Sequence, residues 1–264
     1  MAWSFEPNYM SNKHVTGMGS IGGGSQGIQT ATTTATFPIG HRREFEDGRV
    51  FRYGKWAADT NRGLLSASDM SVTSVAETDG SFTAASAGAT QVTASDATIG
   101  SAGADDFAGG YLHITDDDGE GYTYRIKANT AGSSNSVDLD LYDGLVAAIT
   151  TDTDYAITGN LYDELRGATA ATDHNVSCVT TITLDVSANE YAFGQTWGVC
   201  TILSDGTTVG GGIAQLSDGV AGAVQPLAGG GSGVSDVVSE PEVGWFLFAG
   251  DTSGHVGVNL RLAP

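Results

Sequence analysis

The sequence predicts an all-β protein: an antiparallel β-sandwich or barrel-like body preceded by an extended N-terminal arm. Three observations predict it. The 264 residues include 38 Gly and only 16% charged residues, a composition short of the Glu, Lys, Arg and Leu that cover helix surfaces. Apolar side chains recur with period two along several segments, the signature of half-buried antiparallel strands. Turn dipeptides such as Asp143-Gly144, Asp205-Gly206 and Asp218-Gly219 punctuate those segments, as in a sandwich or barrel of many short strands.

In chain order, the first forty residues carry little charge and no helical period, and include the low-complexity stretch Gly17 to Ser25. Such a composition cannot bury enough apolar surface to fold alone, so it reads as an arm that is either disordered or ordered by a partner. Thr30 to Thr36 is β-branched and extended, and Pro38 places Phe37 to Gly40 at an edge or turn. Arg42 to Trp56 mixes basic and aromatic residues around a hairpin turn at Asp47-Gly48. Residues 1–62 are therefore expected to form an N-terminal arm and contact segment, and residues 63–264 the β body.

Within the body, Tyr122, Tyr124 and Ile126 alternate with Thr123, Arg125 and Lys127. Val137, Leu139 and Leu141 alternate with Asp138 and Asp140, and Val256, Val258, Leu260 and Leu262 with Gly257, Asn259 and Arg261. Further strands are expected at Tyr111 to Ile114, Asp154 to Thr158, Val179 to Val186, Trp197 to Leu203, Val220 to Leu227 and Trp245 to Ala249. Only Asn160 to Arg166, with Asn160 as a potential cap, reads as a helix of about two turns. Residues 80–160 stand out as a possible inserted acidic β subdomain, and Gly210 to Gly212 and Gly229 to Gly231 as loops.

The formal charge of −20 argues against a nucleic-acid surface, because phosphate binding needs clustered Lys and Arg. Its distribution is uneven: residues 1–62 hold seven of the eleven basic residues against five acids, a balance of +2, leaving −22 on the remaining 202. One end that docks and a body that repels its neighbours fit that asymmetry. An acidic protein of a saline habitat is the alternative. No window approaches the ~18 apolar residues of a membrane helix, and Met1 to Pro7 lacks the pattern of a signal peptide. The expectation is a chain with neither a membrane nor a nucleic-acid partner.

Residues that could carry chemistry do not assemble into a recognisable set. Asp116-Asp117-Asp118-Gly119-Glu120 offers oxygens to a hard cation but turns at once into a strand instead of completing a calcium loop, so it reads as a solvated hairpin turn. The five histidines, His14, His41, His113, His174 and His255, lie far apart. Gly17 to Gly22 matches GxGxxG without a strand before it or a helix after it. Cys178 and Cys200 read as two small buried residues, with a pair between neighbouring strands as the alternative. No catalytic residue, metal or cofactor is expected. The segment best suited to a protein partner is Arg42, Arg43, Phe45, Arg49, Phe51, Arg52, Tyr53, Lys55 and Trp56, since Arg and aromatic residues are enriched at interface centres. An ordinary hairpin whose aromatics fill the protein's own core is the other reading.

Three stretches resemble tailed-bacteriophage virion proteins, above all capsid decoration (cement) proteins. Asp47-Gly48-Arg49-Val50-Phe51-Arg52-Tyr53-Gly54-Lys55-Trp56-Ala57 is similar to a segment that follows their N-terminal arm, with Ala57 where that pattern has Gly. Gly109 to Leu112 with Gly119 to Lys127 and Asp152 to Tyr155, and Pro241 to Leu260, are similar to their later strands. The resemblance implies a β-rich body on the capsid exterior, an N-terminal segment lying across major capsid protein subunits, often a homotrimer, and no catalytic residues. Two other functions are carried alongside: a tail, baseplate or head-fibre component that binds a host surface, and a β-sandwich carbohydrate-binding or carbohydrate-active protein.

Overall fold

A computed structural model describes residues 26–69, 75–78, 81–96, 98–169, 175–227, 241–250 and 254–264. The low-complexity stretch, His14, His174 and the loop at 229–231 lie outside these residues. The fold is antiparallel and nearly all β, with two curled sheets. The strands are β1 (Arg42–Glu44), β2 (Val50–Lys55), β3 (Leu65–Ser68), β4 (Val75–Thr78), β5 (Ser81–Phe82), β6 (Gln91–Ser95), β7 (Tyr111–Ile114), β8 (Thr123–Asn129) and β9 (Ser136–Leu141). There follow β10 (Tyr155–Thr158), β11 (Leu165–Gly167), β12 (Val176–Thr180), β13 (Tyr191–Leu203), β14 (Ile213–Leu216), β15 (Val224–Pro226), β16 (Glu242–Phe246) and β17 (His255–Arg261).

The seven-stranded sheet, ordered β4-β10-β7-β8-β9-β6-β5, is built from residues 75–158 alone. Its inward residues, among them Phe82, Leu112, Tyr124, Ile126, Leu139, Tyr155 and Ile157, form one apolar cluster with no member from the rest of the chain. The insert leaves the larger sheet after β3 and returns at β11, and those two strands pair directly, Leu165 with Ser68 and Gly167 with Ser66. An entire sheet thus hangs from the tip of what would otherwise be a hairpin.

The ten-stranded sheet runs β11-β3-β12-β13-β17-β16-β14-β15, with β2 on β13 and β1 on β2. One face buries Leu65, Ile202, Leu216, Val243, Phe246, Val256, Val258 and Leu260. The other is covered near β2 and β12 by two further clusters, Trp56 with Leu165, Cys178 and Leu184, and Phe51, Tyr53 and Phe193 with Ile28, Phe37, Ile39 and Phe45. Residues 26–62 are therefore part of the body. Thr32 bridges Tyr191, Thr36 donates its backbone N–H to the Tyr53 hydroxyl at 3.1 Å, and Gln26 Nε2 donates to the Thr30 carbonyl at 2.7 Å. The expected boundary at residue 62 does not separate an arm from a body: the described residues 26–62 pack onto the larger sheet.

Two expected elements differ. Asn160 to Arg166 is a turn running into β11, because Asn160 Oδ1 accepts the Tyr162 N–H at 3.1 Å in an Asx turn and Glu164 adopts φ +50°. Leu165 then enters the core as a strand residue instead of ending a helix. No α-helix occurs among the described residues. The strand expected over Val179 to Val186 instead spans Val176–Thr180 and turns at Thr181, where the Thr181 hydroxyl is within hydrogen-bonding distance of the Ile28 and Phe193 carbonyls (2.6 and 2.7 Å).

Candidate interaction surface

The nine residues expected to meet a partner form a scaffold rather than a patch. Phe51, Tyr53 and Trp56 are buried, and Trp56 Nε1 donates to Ser66 Oγ at 3.3 Å. Phe45 packs edge-on against Phe51. Arg43 lies 4.4 Å from the Phe193 ring centre and donates to the Gln26 carbonyl at 2.7 Å, and burial lowers its pKa from the ordinary arginine value. Arg52 donates to the Gly40 and Pro264 carbonyls, Arg49 pairs with Asp47 at 2.6 Å and Arg42 with Glu44 at 2.8 Å. Lys55 bonds Glu164 at 3.1 Å; burial opposes its charge, but that bond and the neighbouring Asp163 carboxylate outweigh it and raise its pKa. Alternation explains the outcome: β2 sends Phe51 and Tyr53 to the core side, and its basic residues find partners within the fold. The expectation that all nine face a partner is corrected accordingly.

The surface that remains open lies on the outer face of the same sheet. The long strand β13 changes partners midway, pairing through Tyr191 to Trp197 with β2 and through Trp197 to Leu203 with β17. Gly198 sits at this change with φ +87°, and a Cβ there would lie 3.1 Å from Arg49 Cγ, so glycine is required. Beyond it, Val199 pairs with Asn259, Asn259 with Trp245, and Trp245 with Ile213. Directly paired residues share a face, so these four form one row across β13, β17, β16 and β14. Trp197 pairs with Arg261 in the next row, and the Arg261 guanidinium lies 3.9 Å from the Trp245 ring centre and 5.8 Å from that of Trp197. Phe248 rests over Gly257, where a Cβ would come within 2.5 Å of its ring. Val199 is 57% and Phe248 55% exposed.

Beside this row a cleft of about 510 Å³ is lined by Ile28, Arg49, Arg62, Thr181, Val199 and His255 among others, and none of its fourteen lining residues is Asp or Glu. In a chain with 31 acids that is a local exception. Apolar and aromatic area around a stacked arginine, with acids kept out of the adjoining cleft, is the composition of an interface centre. Sequence reasoning noticed the alternation that turns Asn259 and Arg261 outward. It could not pair them with Trp245 and Val199, which lie on separate strands.

The remaining expectations fall away from this surface. Asp116 to Glu120 forms the turn between β7 and β8, and among the described residues no three His, Cys, Asp or Glu are grouped as metal ligands would be. His41 stacks on Phe37, His113 bonds the Thr123 and Thr158 hydroxyls, and His255 lines the cleft. Cys178 and Cys200 are both free, and burial pushes each thiol up to about 12. No protein-family model matches the chain, no curated protein matches it, and no solved structure matches it.

Proposed function

We propose that the chain is a structural virion protein that binds the outer surface of a tailed-phage capsid and stabilises it, acting by binding and not by catalysis. The observation that carries this reading is the outward row Val199, Asn259, Trp245 and Ile213 beside the Trp-stacked Arg261. Trp and Arg are the side chains that most often dominate binding energy. The resemblance of Asp47 to Ala57, of Gly109 to Leu112 with Gly119 to Lys127 and Asp152 to Tyr155, and of Pro241 to Leu260 to decoration proteins supplies the identity of the partner, the major capsid protein. The insert is attached at the β3/β11 edge, three strands from β17, about 14 Å at the usual strand spacing. Its 84 residues, 75–158, hold fourteen acids and two bases; a net charge of that sign and size keeps neighbouring copies soluble. In a homotrimer, three such faces would multiply a modest affinity for the shell.

Co-expression with the major capsid protein of the phage that encodes the chain, followed by sedimentation of the shells, tests the reading. The chain is expected to sediment with shells at a fixed ratio, and Trp245→Ala with Arg261→Gln to weaken that association at least about tenfold while the fold is kept. Failure to sediment, or binding indifferent to both substitutions, would sink it. Particle images placing the chain at one vertex would favour the tail or head-fibre reading.

A further inference from the structure

The insert has its own outward row. Tyr111 on β7 pairs with Arg125 on β8, and the Tyr142 N–H donates to the Arg125 carbonyl at 3.0 Å, extending the row across β9's end. The Arg125 guanidinium lies 4.9 Å from the Tyr142 ring centre. Tyr111 is 44% and Tyr142 54% exposed, although the strands carrying them bury Leu112, Ile126 and Leu141 on the inner face. Arg125 and Lys127, both exposed, are the only basic residues between 75 and 158. Neither has a carboxylate partner among the described residues. In a segment with fourteen acids, two cations two residues apart on one strand, left unpaired and flanked by tyrosines, are the feature least explained by folding.

We propose that this row binds a carboxylated saccharide. The two tyrosines stand two strands apart, about 10 Å, far enough for separate sugar units of an extended chain to lie against each ring. Tyrosine suits the task because its ring face is apolar while its hydroxyl stays wet. Between them Arg125 offers a planar fork that matches a carboxylate bidentately, with Lys127 as a second charge. Charge complementarity thus selects an acidic sugar over a neutral one.

Calorimetric titration of the full chain, without shells, with tetragalacturonate and with 3′-sialyllactose tests this independently of capsid binding. Saturable binding of at least one of them is expected, with neutral galactotetraose not binding. Tyr142→Ala and Arg125→Gln, both at exposed positions, should each weaken binding at least about tenfold, and Tyr122→Ala, outside the row, should leave it unchanged. The proposal fails if neither acidic saccharide binds, if galactotetraose binds as well, if both row variants titrate like the parent chain, or if Tyr122→Ala weakens binding as much as they do.

Discussion

The ten-stranded sheet and the seven-stranded insert are both curled antiparallel sheets, but they are closed in different ways. The insert has one inner face and one wet face: β9 alternates half-buried and buried residues without a break, and its single cluster is made entirely from residues 82–157. The larger sheet is covered on both faces near β3 and β12, by its main core on one side and by the aromatics of residues 28–56 on the other. Its strands there read as unbroken burial, all four residues of β3 and four of five in β12. Small polar residues consequently end up inside, where Ser66 Oγ meets Thr180 Oγ1 at 2.9 Å and receives the Trp56 indole N–H. The comparison teaches that the insert has a core of its own, while residues 26–62 share the core of the larger sheet instead of standing apart from it as an arm.

Excising the insert tests this most severely. Joining Asp69 to Glu164 through Asn-Gly, a turn pair suited to a two-residue hairpin, removes residues 70–163 and changes the formal charge from −20 to −7. The ion pairs Arg166–Asp69 and Lys55–Glu164 are kept. The shortened chain is expected to remain folded with a cooperative melt, whereas a chain beginning at residue 63 should not fold, having lost Phe51, Tyr53 and Trp56. If circular dichroism finds the excised chain unfolded, or the truncated chain folded, the comparison is broken.

Core truncations should separate the units energetically. Trp56→Ala is expected to cost about 3–5 kcal/mol in the larger sheet and Leu139→Ala about 2–5 kcal/mol in the insert. Both cysteines lie on the larger sheet and none in the insert. With Cys178 wholly buried and its thiol held up near 12 by burial, its native thiolate is scarce and its labelling at pH 8 waits for that sheet to open. Trp56→Ala should speed labelling. Leu139→Ala should lower the insert's melting temperature and leave the labelling rate alone, and equal acceleration by both would mean that the units unfold as one.

The same contrast explains what was legible. Strands β7 and β9 span Tyr111–Ile114 and Ser136–Leu141, the limits their alternation predicts, because a sheet with one wet face writes its period into the sequence. Leu65 to Ser68 gave no such signal, since a strand buried on both faces need not alternate. Phe51, Tyr53 and Trp56 resembled an interface for the same reason they fill a core, both being apolar environments that accept aromatic rings. The outward row could not be read because Val199, Ile213, Trp245 and Asn259 are brought together only by pairings between strands distant in sequence.

The smallest expected effect lies at the junction, where Asp163 is hydrogen-bonded to the larger sheet and feels the charge of an acid in the insert. Its Oδ1 accepts the Glu164 N–H at 2.9 Å and its carbonyl accepts the Ser68 hydroxyl at 2.7 Å. Burial raises its pKa above the ordinary 3.8; Lys55 and the Glu164 amide pull it down, Glu164 and Asp106 of the insert push it up, and the net shift is upward. A carboxyl raised on folding binds its proton more tightly in the native state, so its contribution is fully favourable below pH 3.8 and is lost as pH rises through the raised native value. At neutral pH the ionised group is therefore a cost. Asp163→Asn keeps the hydrogen-bond acceptor and removes that cost, so it should raise the denaturant midpoint at pH 7 and leave it nearly unchanged at pH 3. Because Asp106 contributes to the upward shift, the gain should shrink when Asp163→Asn is made in an Asp106→Asn background. An undiminished gain there would mean that the charge of the insert is not felt at the junction, and that the two sheets are electrostatically as separate as their cores.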